Sequence, residues 1–101
     1  MKNDGFVRKE DVMPFLLWYL AYWGEDDVYR ALEKMPILSS KEISSRKEYL
    51  KKSSIMSYLL DYLAYWGEDD VRRALNSMPT INGLAIKLYL FFQKNNKRNV
   101  A

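Results

Sequence analysis

The side chains that carry most enzymatic chemistry at neutral pH are missing from this sequence, which contains neither cysteine nor histidine. Their absence removes the usual zinc ligands, thiol nucleophiles, disulfides and the commonest general acid or base. Carboxylates, basic residues and aromatic rings remain as the groups that could act. We therefore predict that the protein is not an enzyme and that it uses no cofactor.

Carboxylates occur in two runs of three consecutive acidic residues, at positions 25–27 and 68–70. Oxygen ligands of this kind suit Mg²⁺ or Ca²⁺. Consecutive residues at the start of a helix point in different directions, however, and they lack the spaced ligands of a calcium loop. The exposed backbone amides of a helix N-terminus explain these charges better, so we predict no metal site.

Both acidic runs belong to a longer duplication, because the sequence YLAYWGEDDV begins at Tyr19 and again at Tyr62. Residues 16–36 match residues 59–79 at 17 of 21 positions, a period of 43 residues. Repeats of this length are typical of stacked helical units. In each copy we expect a first helix, a left-handed glycine C-cap and a short second helix that ends before a proline.

These patterns predict an all-α fold, a single domain of five or six short helices built from a duplicated helix-Gly-helix unit. A chain of 101 residues with 49% hydrophobic side chains can form one core without metals or disulfides. The repeats span residues 12–36 and 55–79. Between them lies a basic connector, residues 37–54, and a basic C-terminal helix and tail follow at residues 80–101.

Helical spacing of the apolar residues also predicts which aromatic side chains are buried. We expect Tyr19, Trp23, Tyr62 and Trp66 in the core. The connector is predicted to form a third helix over residues 41–49, with Ser39 or Ser40 as its N-cap. Thr80 or Asn82 is expected to cap the last helix.

The chain from the connector into the second copy, LSSKEISSRKEYLKKSSIMSYLLDYLAYWG, resembles the helix-turn-helix units of small transcription regulators. The resemblance covers residues 35–66. It implies a helix 2 that opens at SKEI with Ile43 in the core, Leu50 in the turn, and a helix 3 with Ile55 and Leu59 buried. No β-hairpin wing is expected, because a helix follows.

Duplex DNA is the partner that this resemblance implies, for a regulator of transcription or replication. Helix 3 would begin in the DNA major groove, while Lys41, Arg46 and Lys47 would contact phosphates and supply affinity. The residues expected nearest the DNA are Lys51, Lys52, Ser53, Ser54, Ser57 and Tyr58. A basic run is also typical of a solvated face, so a plain helical scaffold with a basic linker remains an alternative.

A second interpretation is a protein-interaction adaptor, a small helical scaffold of viral or plasmid origin that docks through exposed aromatic residues. Trp18 in the first copy is replaced by Asp61 in the second. A position that accepts both types is expected near the surface. Trp18, together with Tyr22, is therefore the predicted contact for a homodimer or another protein partner.

The sequence shows no membrane-spanning segment. Its longest uncharged apolar run, residues 12–23, is shorter than the roughly 20 residues that such a helix requires. The first residues carry acids and no apolar signal segment. We expect a cytoplasmic protein with no membrane partner.

Overall fold

Five α-helices and three short strands make up the fold in the computed structural model, which describes residues 5–100 and the side chains of residues 5–93. Strand β1 (Phe6–Arg8) runs into helix α1 (Lys9–Tyr19), and α2 (Glu25–Lys34) follows. A 3₁₀ turn (Ser40–Glu42) precedes strand β2 (Glu48–Lys51), α3 (Lys52–Tyr62), α4 (Glu68–Ser77), strand β3 (Ile81–Asn82) and α5 (Gly83–Val100).

A small antiparallel sheet, with strand order β1-β2-β3, is the feature that the all-α prediction missed. The chain is mostly helical, as expected. Each of the first two strands ends in an aromatic, an aliphatic and a basic residue, FVR in β1 and YLK in β2, and runs without a loop into a helix. Aromatic and aliphatic residues suit a half-buried strand.

The predicted helix over residues 41–49 is wrong, and the helix 2 of the helix-turn-helix resemblance is therefore absent. Ser39 and Glu42 do form a capping box, in which the Ser39 amide donates to Glu42 Oε1 (2.8 Å), but only one 3₁₀ turn follows. The chain then turns back into β2. There Tyr49 is fully buried, and its hydroxyl accepts a hydrogen bond from the Ser44 amide (2.7 Å). Burial of the tyrosine ring in the strand outweighs local helix propensity.

The two copies of the duplicated sequence adopt the same local structure. Copy 1 consists of β1, α1 and α2, and copy 2 of β2, α3 and α4. The bounds of α3 and α4 are those of α1 and α2 shifted by 43 residues. In the β1–β2 pair, Val7 lies opposite Leu50, its own equivalent in the other copy. Antiparallel pairing of equivalent residues relates the copies by an approximate twofold axis.

Contacts cross from each copy to the other at the ends of the helices. Lys9, at the start of α1, donates from Nζ to the Asn76 carbonyl of α4 (3.0 Å). Its equivalent Lys52, at the start of α3, donates to the carbonyls of Glu33 (2.9 Å) and Met35 (2.7 Å) at the end of α2. Each lysine therefore satisfies C-terminal carbonyls of the other copy's second helix.

The sheet separates two apolar clusters. The larger cluster contains Val7 and Leu50 on one face of the sheet together with buried side chains of the first four helices. Ile55 and Leu59 are fully buried there, as predicted. The smaller cluster, on the other face, joins Ile43, Tyr49 and Ile86 and holds α5 against the sheet.

Helix α5 begins in close contact with the connector. The Leu84 amide donates to Asn82 Oδ1 (2.9 Å), so Asn82 caps the helix as predicted. The Gly83 amide donates to the Lys47 carbonyl (2.9 Å), and a Cβ atom at position 83 would overlap the Ser44 carbonyl oxygen. Only glycine allows this approach of the two backbones.

Two predictions about the first helix of each copy are wrong. Gly24 and Gly67 are not left-handed C-caps, since both have φ of −170° and precede α2 and α4. Helix α1 already ends at Tyr19, so the apolar face is shorter than expected, and Tyr19 and Tyr62 are 41% and 52% exposed. Trp23 and Trp66, predicted to lie in the core, are partly buried against the larger cluster.

We expect the buried Lys52 to stabilise the fold more than its half-buried equivalent Lys9. Replacing Lys52 with Met leaves two carbonyls without their charged donor, which should lower the free energy of unfolding by about 2–3 kcal/mol. Lys9→Met should cost less than about 1 kcal/mol. Urea unfolding of both variants measures the difference. Equal costs would contradict the larger contribution of Lys52.

The same lysine predicts a dependence on pH. Burial lowers the pKa of Lys52 below its ordinary value of 10.5, and the nearby Glu33 only partly opposes this shift. Between the lowered pKa and 10.5 the unfolded chain binds more protons than the native chain, so stability rises with pH in that interval. The free energy of unfolding of the wild type should therefore increase relative to Lys52→Met as the pH approaches 10.5.

Candidate functional site

A surface hollow, which we call groove 1, lies where copy 1, copy 2 and the connector meet. Its volume is about 580 Å³, within the range of ligand-binding clefts. Met13, Pro14 and Leu75 supply its apolar surface. The remaining lining residues are polar or charged: Lys9 and Glu10 of α1, Arg46, Lys47 and Glu48 of the connector, and Arg72 and Asn76 of α4.

Positive charge predominates in groove 1, since four cations face two carboxylates. Lys47 Nζ lies 3.1 Å from Glu10 Oε2, and Arg72 lies 2.9 Å from Glu68. All four of these side chains are about half exposed, and such ion pairs are weak and easily exchanged. Within the described residues, Arg46 forms no ion pair.

Glu48 is the carboxylate held most firmly at the groove. Thr80 donates to its Oε1 (2.7 Å) and Asn82 donates to its Oε2 (3.1 Å). These two hydrogen bonds, that of Thr80 foremost, lower the pKa of Glu48, so the group is charged at neutral pH. Its negative charge limits where a bound anion can lie in groove 1.

A smaller hollow, groove 2, is the counterpart of groove 1 under the approximate twofold axis. Its volume is about 190 Å³. Each of its six lining residues stands 43 positions from a residue of groove 1, and these residues are Tyr29, Leu32, Glu33, Lys52, Ser53 and Met56. The fold therefore carries two versions of one hollow.

The two grooves differ in charge because the copies differ in sequence. Arg72 in groove 1 corresponds to Tyr29 in groove 2, and Asn76 corresponds to Glu33. Lys9 reaches groove 1, whereas its equivalent Lys52 is only 7% exposed. Groove 1 also gains Arg46 and Lys47 from the connector. Binding of an anion is therefore favoured in groove 1 only.

The residues predicted to contact DNA are distributed over several hollows and exposed positions. Arg46 and Lys47 line groove 1, but Lys41 lies outside it on the 3₁₀ turn, and Lys51 lines a separate hollow beside α5. Ser53 lines groove 2, Ser54 and Ser57 are exposed on α3, and Tyr58 is half-buried and stacked on Tyr62.

Lys52 requires a correction, because it was predicted to lie near the DNA. The structure buries its side chain and directs Nζ to the carbonyls of Glu33 and Met35. A lysine held in this way cannot reach a phosphate. The start of α3 therefore lacks one of the two lysines expected there.

Sequence reasoning missed Lys9 and Arg72 as members of a site. They are 63 positions apart (72 − 9), and only the crossing of the copies brings them to one groove. One signal was present in the sequence, since Arg72 is among the few residues that differ between the copies. A residue that differs between the copies does not have to fit the core packing that both copies share.

The aromatic residues predicted as a partner contact are exposed. Trp18 is 80% exposed and Tyr22 is 76% exposed, which confirms the surface position inferred for Trp18. Trp18 lies near Phe15 and Tyr19, with ring centroids 6.3 Å from each. The large side chain of Trp18 is therefore exposed to solvent.

The acidic runs do not gather into a metal centre. Among the described residues, no three acidic side chains converge closely enough to hold an ion. Asp27 pairs with Arg30 and Asp70 with Arg73 instead. No helix in the described range is both long and apolar enough to cross a membrane.

Comparisons of the chain with protein-family models, with curated proteins and with solved structures find no match. The site must therefore be interpreted from its own chemistry.

Proposed function

We propose that the protein binds duplex DNA through groove 1, without catalysis, by contacting backbone phosphates. The observation that carries this proposal is the convergence of four cations from three elements: Lys9 of α1, Arg46 and Lys47 of the connector, and Arg72 of α4. Charge from separate elements around one concave surface attracts a polyanion more strongly than a solvated basic run does. Phosphate contacts of this kind supply most of the affinity of sequence-independent DNA binding.

The mode of binding differs from that of a helix-turn-helix protein. No helix precedes α3 in the position of helix 2, and the first residue of α3, Lys52, is buried. The exposed serines of α3 have little power to distinguish bases. Contacts to phosphates position a protein on DNA without reading its sequence, so weak sequence preference accompanies this function.

Arginines 72 and 73 provide a matched test of this function. Both lie on α4 and both pair with an acidic residue of the same helix, but only Arg72 lines groove 1. Arg72→Ala should weaken binding to a short duplex and reduce the slope of log affinity against log salt by about one unit. Arg73→Ala should leave the slope unchanged. Fluorescence anisotropy at several salt concentrations measures both slopes.

Two results would contradict DNA binding by groove 1. One is the absence of binding by the wild type at low salt. The other is an equal loss in the Arg72→Ala and Arg73→Ala variants, which would indicate a diffuse effect of net charge. Arg72→Tyr, which copies the residue found in groove 2, repeats the test with a bulky neutral side chain.

The second candidate function is that of a protein-interaction adaptor, and the exposure of Trp18 and Tyr22 favours it. Large aromatic side chains are the commonest anchors of protein interfaces. Trp18 does not serve the core, since four-fifths of its surface is exposed. Trp18 and Tyr22 are not among the residues that line groove 1.

We expect Trp18→Asp, which copies the residue at position 61, to change the free energy of unfolding by less than about 1 kcal/mol. Trp23→Asp is the control, because Trp23 packs against the larger cluster, and it should destabilise by more than about 2 kcal/mol. Urea unfolding distinguishes the two. Comparable losses would mean that Trp18 has a structural role and would remove the basis for the adaptor.

A further inference from the structure

Helix α5 exposes an apolar stripe, which we define as Leu84, Leu88, Phe91 and Phe92. The first three stand at spacings of four and three residues and share one side of the helix. Ile86 and Leu90 lie on another side and pack against the smaller cluster. Half or more of each stripe residue is exposed, so α5 is apolar both toward the sheet and toward solvent.

A second group of exposed apolar side chains lies at the C-terminal end of α1 and just beyond it, and we call it the aromatic patch: Leu17, Trp18, Tyr19 and Tyr22. All four side chains are between 41% and 80% exposed. The rings of Trp18 and Tyr19 are neighbours, with centroids 6.3 Å apart. Exposed apolar surfaces of this kind mark interaction sites.

The two surfaces are opposite in charge. The aromatic patch leads into Glu25, Asp26 and Asp27, and residues 17–30 contain one compensating base, Arg30. Glu25 and Asp26 are exposed and form no ion pair within the described residues. Residues 80–101 contain four bases, Lys87 and three in the tail, and no acidic residue.

We propose that the apolar stripe of one chain docks on the aromatic patch of a second copy. This assignment names a partner for the second candidate function, on which it rests, and is independent of groove 1. Both surfaces supply apolar area, and the charge near one is opposite to the charge near the other. If the stripe of one chain instead contacted the stripe of another chain, two basic helices would be brought together.

The contact is heterologous, because it joins two different surfaces of the same chain. After two chains have docked, one of them still has a free aromatic patch and the other still has a free stripe. Such contacts continue into open assemblies unless their rotation closes a ring. Helix α5 has 18 residues and spans about 27 Å at 1.5 Å per residue, which is long enough to carry the whole stripe.

Two variants of the full chain, each with one damaged surface, test the proposal. Trp18→Asp removes the main ring of the aromatic patch, and Leu84→Gln with Leu88→Gln removes the centre of the stripe without a helix-breaking residue. Each variant alone should associate at least about tenfold more weakly than the wild type. Mixed together, they should form a one-to-one heterodimer and nothing larger, because one intact surface remains on each.

Sedimentation velocity across a concentration series at low salt measures these species. Tyr65→Asp is the control, since Tyr65 is exposed in copy 2, outside the patch, and its replacement adds the same charge. Circular dichroism confirms that every variant is folded. The control should assemble as the wild type does.

Four outcomes would overturn the proposal: a wild type that stays monomeric, an equal loss in Tyr65→Asp, continued self-association of Trp18→Asp alone, or no heterodimer in the mixture. Continued self-association of Trp18→Asp would indicate contact between stripes. A monomeric wild type that binds vesicles of anionic phospholipid through the stripe would assign α5 to a lipid surface. Neither variant replaces a residue that lines groove 1, so the test of DNA binding rests on separate substitutions.

Discussion

The antiparallel contact between β1 and β2 is the constraint on which the rest of the structure depends. It places Val7 opposite Leu50, two equivalent residues of a duplicated sequence, and thereby relates the copies by a twofold axis. Because each strand runs directly into a helix, the contact also fixes where α1 and α3 begin. Lys9 and Lys52 then reach carbonyls of the opposite copy. A few strand residues thus set the packing of four helices.

A duplicated chain can keep one copy of a feature for structure and alter the other for binding. Lys52 is buried and serves the fold, whereas Lys9 is accessible beside Arg72. The shared positions, such as Val28 and Val71, are fully buried in both copies. Three of the differences between residues 16–36 and 59–79 lie at groove-lining positions or at Trp18, and the core at those positions does not constrain the residue type.

Helix existence and most buried positions could be predicted from the sequence, because Ile55, Leu59 and Val71 follow helical spacing. The strands could not be predicted from alternation, since three residues are too few, although the duplication does extend to Phe6 and Tyr49. The site was predicted in part: Arg46 and Lys47 line groove 1. Lys9, Arg72 and the burial of Lys52 depend on how the copies cross, which no local pattern contains.

The central claim is that one of two related grooves binds DNA. The most direct measurement is an NMR titration of the isotopically labelled chain with a short duplex, which reports on every backbone amide. We expect the amide signals of Lys9, Arg46, Lys47 and Arg72 to shift as DNA is added. The signals of the groove 2 residues Tyr29, Glu33 and Ser53 should stay unchanged. Equal shifts in both grooves, or shifts confined to other surfaces, would contradict it.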